Sequence, residues 1–289
     1  MVVEGSDRNT KPPEHGVTYA SGATFPLVMT TMFSNLTTRR IVVILSLITA
    51  GIVAVHVTTL VFMWGFGHDN LYGLTWLFDV DGEDNVPAFF SFAIMMYAVA
   101  LLGYIAMHHR SGEKPRTAYW TALAIVFSYL AIDEGFEVHE HIAKFAAGWI
   151  GAHELRVYAW LVPYAVGGIV FLLVYARFLR QLRRIDAMRI LRSGIVYVAG
   201  AGVAEFFGAL YVHIYHTEHA LGYDIETAIE ESLEMAGVIM FIYALLKYID
   251  VHVTAANASA VNAKKKRPGT EVPGRDDSAW SPGQNSTSA

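Results

Sequence analysis

The chain has 289 residues, of which 54% are apolar and 16% charged, with a formal net charge of −5 and a mean hydropathy of +0.37. That balance is too apolar for an ordinary soluble domain and places the chain among membrane proteins. With no cysteine, disulfides, thiolate zinc sites, Cys-held iron–sulfur clusters and thiol catalysis are excluded, so any bound metal must use His, Asp or Glu.

Residues 1–38 are polar and read as a disordered cytoplasmic segment. They hold no short apolar run ending in a small-residue cleavage site, so the first span is expected to stay as an anchor. A spanning helix needs about 20 mostly apolar residues, and such windows fall near 41–66, 87–107, 117–142, 157–178, 191–213 and 228–248. The expected fold is all-α: a polytopic bundle of six transmembrane helices over residues 39–252, with a disordered cytoplasmic tail over 253–289. Lys264, Lys265 and Lys266 in that tail suit a topology signal or a lipid-headgroup contact. They do not suggest nucleic-acid binding, because the triplet is short and lacks interleaved aromatics.

The basic residues orient the bundle. Arg39 and Arg40 precede the first window; Arg110, Lys114 and Arg116 separate the second and third; Arg177, Arg180, Arg183, Arg184, Arg189 and Arg192 surround the fourth connection. The opposite connections hold only Lys144 and Arg156 of the 21 basic residues. The positive-inside rule then places both termini in the cytoplasm, in an inner cell membrane. The outer connections 67–86 and 214–227 are rich in Asp, Glu and His. The first of them, with Asp79, Asp81, Glu83 and Asp84, reads as a solvated loop or a lid, with an oxygen-rich calcium site as the alternative.

Helix rise sets the depth of each polar group. Entering from inside, the third window reaches Asp133 and Glu134 after roughly 24 Å and the fifth reaches Glu205 after roughly 20 Å, both in the outer half. Glu226, Glu230, Glu231 and Glu234 lie within roughly 15 Å of the outer surface on the sixth, and His56 on the first lies at about the same level. At 100° per residue, Asp133, Glu134, Glu137, Glu140 and His141 share an arc of about 120° that excludes His139. Acids at such depth need partners, and without Lys or Arg among these segments they must hold protons or bind a cation. Carboxylate with imidazole suits iron, zinc or manganese, held between facing helices as a di-metal site. Simpler roles compete: Asp224 and Glu226 complement a helix dipole, His153, His213, His216 and His219 are interfacial, and His56 is either a helix–helix hydrogen bond or a ligand.

Three signatures carry a resemblance over most of 75–250. They are Leu77-Phe78-Asp79-Val80-Asp81-Gly82-Glu83 with Asn85, Pro87, Phe89 and Phe90; Asp133-Glu134 with His139-Glu140; and Glu230-Glu231 with Glu234-Met235, together with Glu205. In these the chain resembles a family of uncharacterised bacterial multi-pass membrane proteins, which implies candidate positions and no reaction. The resemblance favours His139 as the imidazole where helix geometry favours His141, and a break at Gly135 would reconcile them. The repeated HxxxH and HxxHH motifs of membrane desaturases are absent, as is the Glu-x-x-His repeat of soluble di-iron bundles.

The expected function is a metal-dependent intramembrane enzyme on a small apolar or amphipathic, lipid-like or quinone-like substrate. Glu134, His139, Glu205, Glu230, Glu231 and Glu234 are the metal ligands, and Asp133 and Glu140 orient ligands or move a proton. The alternatives are a proton- or cation-coupled transporter, which lacks a visible internal repeat here, and a structural membrane protein.

Overall fold

The computed structural model describes residues 38–82, 84–109, 114–136, 138, 142, 161–217 and 219–254. Among them every regular element is helical. In chain order these are α1 (Thr38–Phe66), the single turn α2 (Leu74–Leu77), α3 (Val86–His109), α4 (Lys114–Phe136), α5 (Leu161–Leu179), α6 (Arg184–Val198), α7 (Glu205–Tyr215) and α8 (Leu221–Tyr248). A π-helical stretch, Ala199–Ala204, joins α6 to α7 without a break, and another, Ile249–Thr254, prolongs α8.

Each of the six apolar windows overlaps a helix in its described part, and four helices are long and apolar enough to cross a membrane: Thr38–Phe66, Val86–His109, Arg184–Tyr215 and Leu221–Val253. A shorter apolar helix spans Ala165–Leu179, while α4 is interrupted by more polar residues. Large apolar side chains such as Leu47, Ile125, Leu173 and Ile195 point outward, which hydrocarbon tolerates and water does not.

α8 is the central element. It packs on α6, α1, α3 and the π-helical stretch, while α3 pairs with α4. Met235, Val238, Ile242 and Leu245 of α8 are fully buried against Met95, Leu101, Leu102 and Ile105 of α3. At one end of the bundle Trp120 of α4 is enclosed, its ring edge-on to Phe178 at 5.1 Å and tilted against Tyr248 at 4.8 Å. α5 docks there through Tyr175, whose hydroxyl donates to the Tyr119 carbonyl at 2.9 Å. Nearby, buried Asp186 accepts from Arg189 at 3.2 Å and pairs with His252 at 2.9 Å, and Tyr248 meets His109 at 2.9 Å. The ends of α3, α6 and α8 are thereby tied together.

The opposite end is closed by the connection after α1. Asn85 caps α3, its Oδ1 accepting from the Ala88 amide at 3.2 Å while its amide donates to the Asp79 carbonyl at 2.6 Å. The Val80 amide donates to Nδ1 of buried His56 at 3.4 Å, holding the Asp79–Asn85 turn against α1.

Glycines set how closely the α6–α7 helix lies on α8. A Cβ at Gly237 would sit 2.6 Å from the Tyr197 amide nitrogen, and one at Gly200 would sit 2.7 Å from the Glu230 carbonyl oxygen and 2.9 Å from Glu234 Cγ. One at Gly208 would strike the Glu226 carboxylate, and one at Gly222 would press on the Tyr211 ring. Position rises on one helix as it falls on the other, so the pair is antiparallel and in close contact along its length. The expected consequence is that Gly237→Ala lowers stability by about 1–3 kcal/mol, since backbone must move. Gly167→Ala, whose Cβ meets nothing within 4 Å, has no such cost. Thermal midpoints of the two variants in detergent check this.

Candidate functional site

The acids of three helices face one another where α7 begins. Glu205 is the first residue of α7, directly after the π-helical stretch. A π-turn holds an extra residue per turn and so shifts the direction of everything after it. Gly200 within that turn lets the backbone approach α8 at Glu230 and Glu234. Glu205 comes within side-chain hydrogen-bonding reach of Glu230, which is buried on α8. Two carboxyl groups can keep such an approach only by sharing a proton or a cation. One turn further along α8, Glu234 accepts a hydrogen bond from the Tyr197 hydroxyl of α6.

The remaining predicted residues fall around this pair. Glu234 lies within electrostatic range of Glu134, Glu205 and Asp133, and Glu231 within range of Glu234, Glu134, Asp81 and Glu205. Asp133 is buried and Glu134 half-buried on α4. His139, Glu140, Glu137 and His141 lie outside the described residues, as does Glu83. α4 remains regular α-helix through Phe136, Gly135 included, and among the described residues the irregular turn beside these acids is the π-helical stretch Ala199–Ala204. Among the described residues no three His, Asp or Glu side chains have the arrangement of a metal-binding group.

Three side chains at this place are not among the expected ligands and proton carriers, although the sequence puts Glu226 at the same depth and Asp81 on the loop read as a lid. Glu226, read from its position as a complement to the α8 dipole, lies against Gly208 with both carboxylate oxygens buried and without a hydrogen-bond partner, in electrostatic range of Glu205 and Asp81. Tyr197 holds Glu234. Asp81, on the turn pinned by His56 and Asn85, reaches Glu226 and Glu231 electrostatically. The glycine opposite each acid is the signal that was available: Gly208 marks Glu226, and Gly200 marks Glu230 and Glu234.

Other polar groups serve local structure. His56 has its ring Nδ1 3.8 Å from Asp79 Oδ1, with Nε2 buried and unpartnered. Asp224 accepts from the Trp64 indole at 2.6 Å, tying α8 to α1. His213, His216 and His219 are exposed.

Taken together, the site offers a closely approaching carboxyl pair, a tyrosine beside a third carboxylate and at least two more acids nearby. Among the described residues, the charged groups that act on these acids are other acids. Replacing one member of the pair by its amide keeps a donor for the other carboxylate and leaves the charge that a proton-sharing pair already has. Glu205→Gln is therefore expected to melt at or above the wild-type temperature in metal-free detergent. A fall of the kind produced by cutting an ion pair would contradict the shared proton.

No curated protein and no solved structure matches the chain. The sequence model of one family, described as a domain of unknown function (DUF8692), matches residues 42–248 and so takes in every helix that contributes to this site. The chain belongs to that family.

Proposed function

We propose that this chain is a multi-pass protein of a bacterial inner membrane, with six spanning helices and cytoplasmic termini. Its interior acids hold one or two divalent cations, iron, zinc or manganese, as a metal-dependent enzyme on a lipid-like or quinone-like substrate. One observation carries the reading: acids from α4, α7 and α8 lie within electrostatic range of one another, and among the described residues no basic side chain neutralises them. Residues 41–109, 117–136 and 193–246 contain no Lys or Arg. Two unit charges 4 Å apart repel by about 4 kcal/mol even at an effective dielectric of 20. Several such pairs exceed the whole stability of a typical domain, about 5–15 kcal/mol. A divalent cation removes this repulsion at one stroke.

In this reading Glu134, Glu205, Glu230, Glu231 and Glu234 are the oxygen ligands, and His139 of the family signature supplies the imidazole. Asp133 and Glu140 orient ligands or move a proton. A bound cation of this class acts as a Lewis acid or, for iron and manganese, as a redox centre. Glu226 and Asp81 close the outer side, and the exposed apolar flanks of the helices give a hydrophobic substrate its approach from the bilayer. The close Glu205–Glu230 approach favours a second reading, a proton- or cation-coupled transporter in which that pair loads and unloads a proton.

Elemental analysis of detergent-purified protein separates the two. About one or two ions per chain, lost in Glu134→Gln and Glu234→Gln variants that still elute as folded protein, is the expected result. A folded wild type that stays metal-free after supplementation overturns the metal reading, and cation-driven proton release in liposomes then tests the transporter. Topology is checked separately, and the absence of native cysteine makes the labelling background-free. Tyr72→Cys, at a fully exposed position, is expected to react with an impermeant maleimide in spheroplasts. Arg183→Cys is expected to react only after the membrane is opened.

A further inference from the structure

A second polar site lies at the other end of the α6–α7 helix, roughly 20 Å from the acids by helix rise from Arg192 to Glu205. There a hollow of about 580 Å³ is lined by Arg184, Ile185, Met188, Arg189 and Arg192 of α6 and by Tyr243 of α8. At 100° per residue the five α6 residues fall within an arc of about 140°, so one helix face presents three guanidinium groups on an apolar floor. Arg189 is fixed: it donates to buried Asp186 at 3.2 Å and lies over the Tyr243 ring at 5.8 Å. Asp186 is itself spent, its other oxygen being paired with His252 at 2.9 Å. Arg184 and Arg192 are exposed and have no carboxylate partner among the described residues.

The helix backbone aggravates this. Arg184 opens α6, and no side chain caps its free amides; that end of a helix already carries positive character. Of the three arginines, Asp186 answers Arg189 alone, and Arg184 and Arg192 are left as the two positive charges that an anion would join. Arginine forks match phosphate oxygens, with two donors to two acceptors. The floor of the hollow, Ile185, Met188 and Tyr243, is too apolar for a freely hydrated anion. Ile185 and Ile195 continue it outward as exposed apolar surface, where an acyl chain finds its place.

We infer that this hollow binds the phosphate headgroup of an anionic phospholipid, with an acyl chain laid along the exposed apolar residues of α6. The inference does not depend on the acids or on any metal. It needs only that α6 enters the membrane from its arginine-bearing end. Basic pockets at the cytoplasmic ends of spans are suited to such headgroups, and each arginine near the surface contributes several-fold to the affinity.

Native mass spectrometry of the detergent-purified full chain, titrated with phosphatidylglycerol or with phosphatidylcholine, tests this. Phosphatidylglycerol is expected to be retained in preference. Arg184→Gln/Arg192→Gln should weaken it about thirtyfold, while Arg39→Gln/Arg40→Gln, the same charge loss elsewhere, leaves it within about twofold. Met188→Trp fills the hollow without changing charge and should also weaken binding, which keeps the test open if the arginine variant does not fold. Equal retention of the two lipids, or equal loss in the Arg39/Arg40 control, overturns the site. Displacement of the lipid by inorganic phosphate alone overturns the lipid and assigns the hollow to a soluble anion.

Discussion

Everything that distinguishes this bundle depends on how closely the Arg184–Tyr215 helix lies against α8. In a membrane, helices gain little from burying apolar surface on one another, because lipid is equally apolar. Their association rests on dispersion contacts and interhelical hydrogen bonds, both of which need close backbones. Gly200, Gly208 and Gly237 supply that closeness, and side chains larger than hydrogen do not fit at any of them. The same contact brings Glu226 beside Gly208 and Glu230 and Glu234 beside Gly200. The geometry that holds the helices together therefore also forces their carboxyl groups together, and packing and electrostatics pull in opposite directions at one place.

That conflict needs a proton or a cation to settle it. Glu205 and Glu230 come within hydrogen-bonding reach of each other, and the Tyr197 hydroxyl offers Glu234 a donor. Glu226, with neither oxygen bonded, is left to a proton, a water or an ion. A buried, unpaired ionised carboxylate costs several kcal/mol, far more than an interhelical hydrogen bond returns, at about 0.6–2 kcal/mol. Natural chains remove such a residue unless it has a task. The π-turn that aims Glu205 points the same way, because such turns give up regular helix hydrogen bonding and recur at functional positions.

The helices were legible in the sequence because their signal is local: apolar length alone located the six windows, each overlaps a helix among the described residues, and four of those helices are long and apolar enough to cross a membrane. The level of the acids was legible too, since helix rise converts sequence distance into depth. What was not legible depended on two helices at once. Glu226 looks like a dipole complement on α8 by itself, and only its contact with Gly208 of α7 moves it among the other acids. Tyr197 resembles any other aromatic of a spanning segment until α8 is laid beside it. The π-turn has no composition of its own beyond Ala-Gly-Ala-Gly, so a bend was expected at Gly135, where a single glycine follows two acids. That glycine instead lies in regular helix, where its Cβ position meets the Phe92 ring at 3.3 Å.

The two antiparallel helices of this pair differ in how their charges sit on their own dipoles. α8 begins with Asp224 and ends with Lys247, the arrangement a helix dipole favours. Its partner carries Asp186 in its first turn but also Arg184, Arg189 and Arg192 over its first nine residues, with Glu205 well beyond them. Helix stability alone does not call for so many arginines there. Entry into a membrane from that end, the proposed orientation, would, since basic residues are held on the side from which a helix enters. The price of that orientation is a surplus of positive charge at one end of a single helix and of acid at the other, and the fold neutralises neither fully. Asp186 answers only one arginine, and protons answer only some of the acids. The phosphate of a lipid at the first end and a cation at the second are the counter-charges this helix lacks, which is why both proposed sites lie on it.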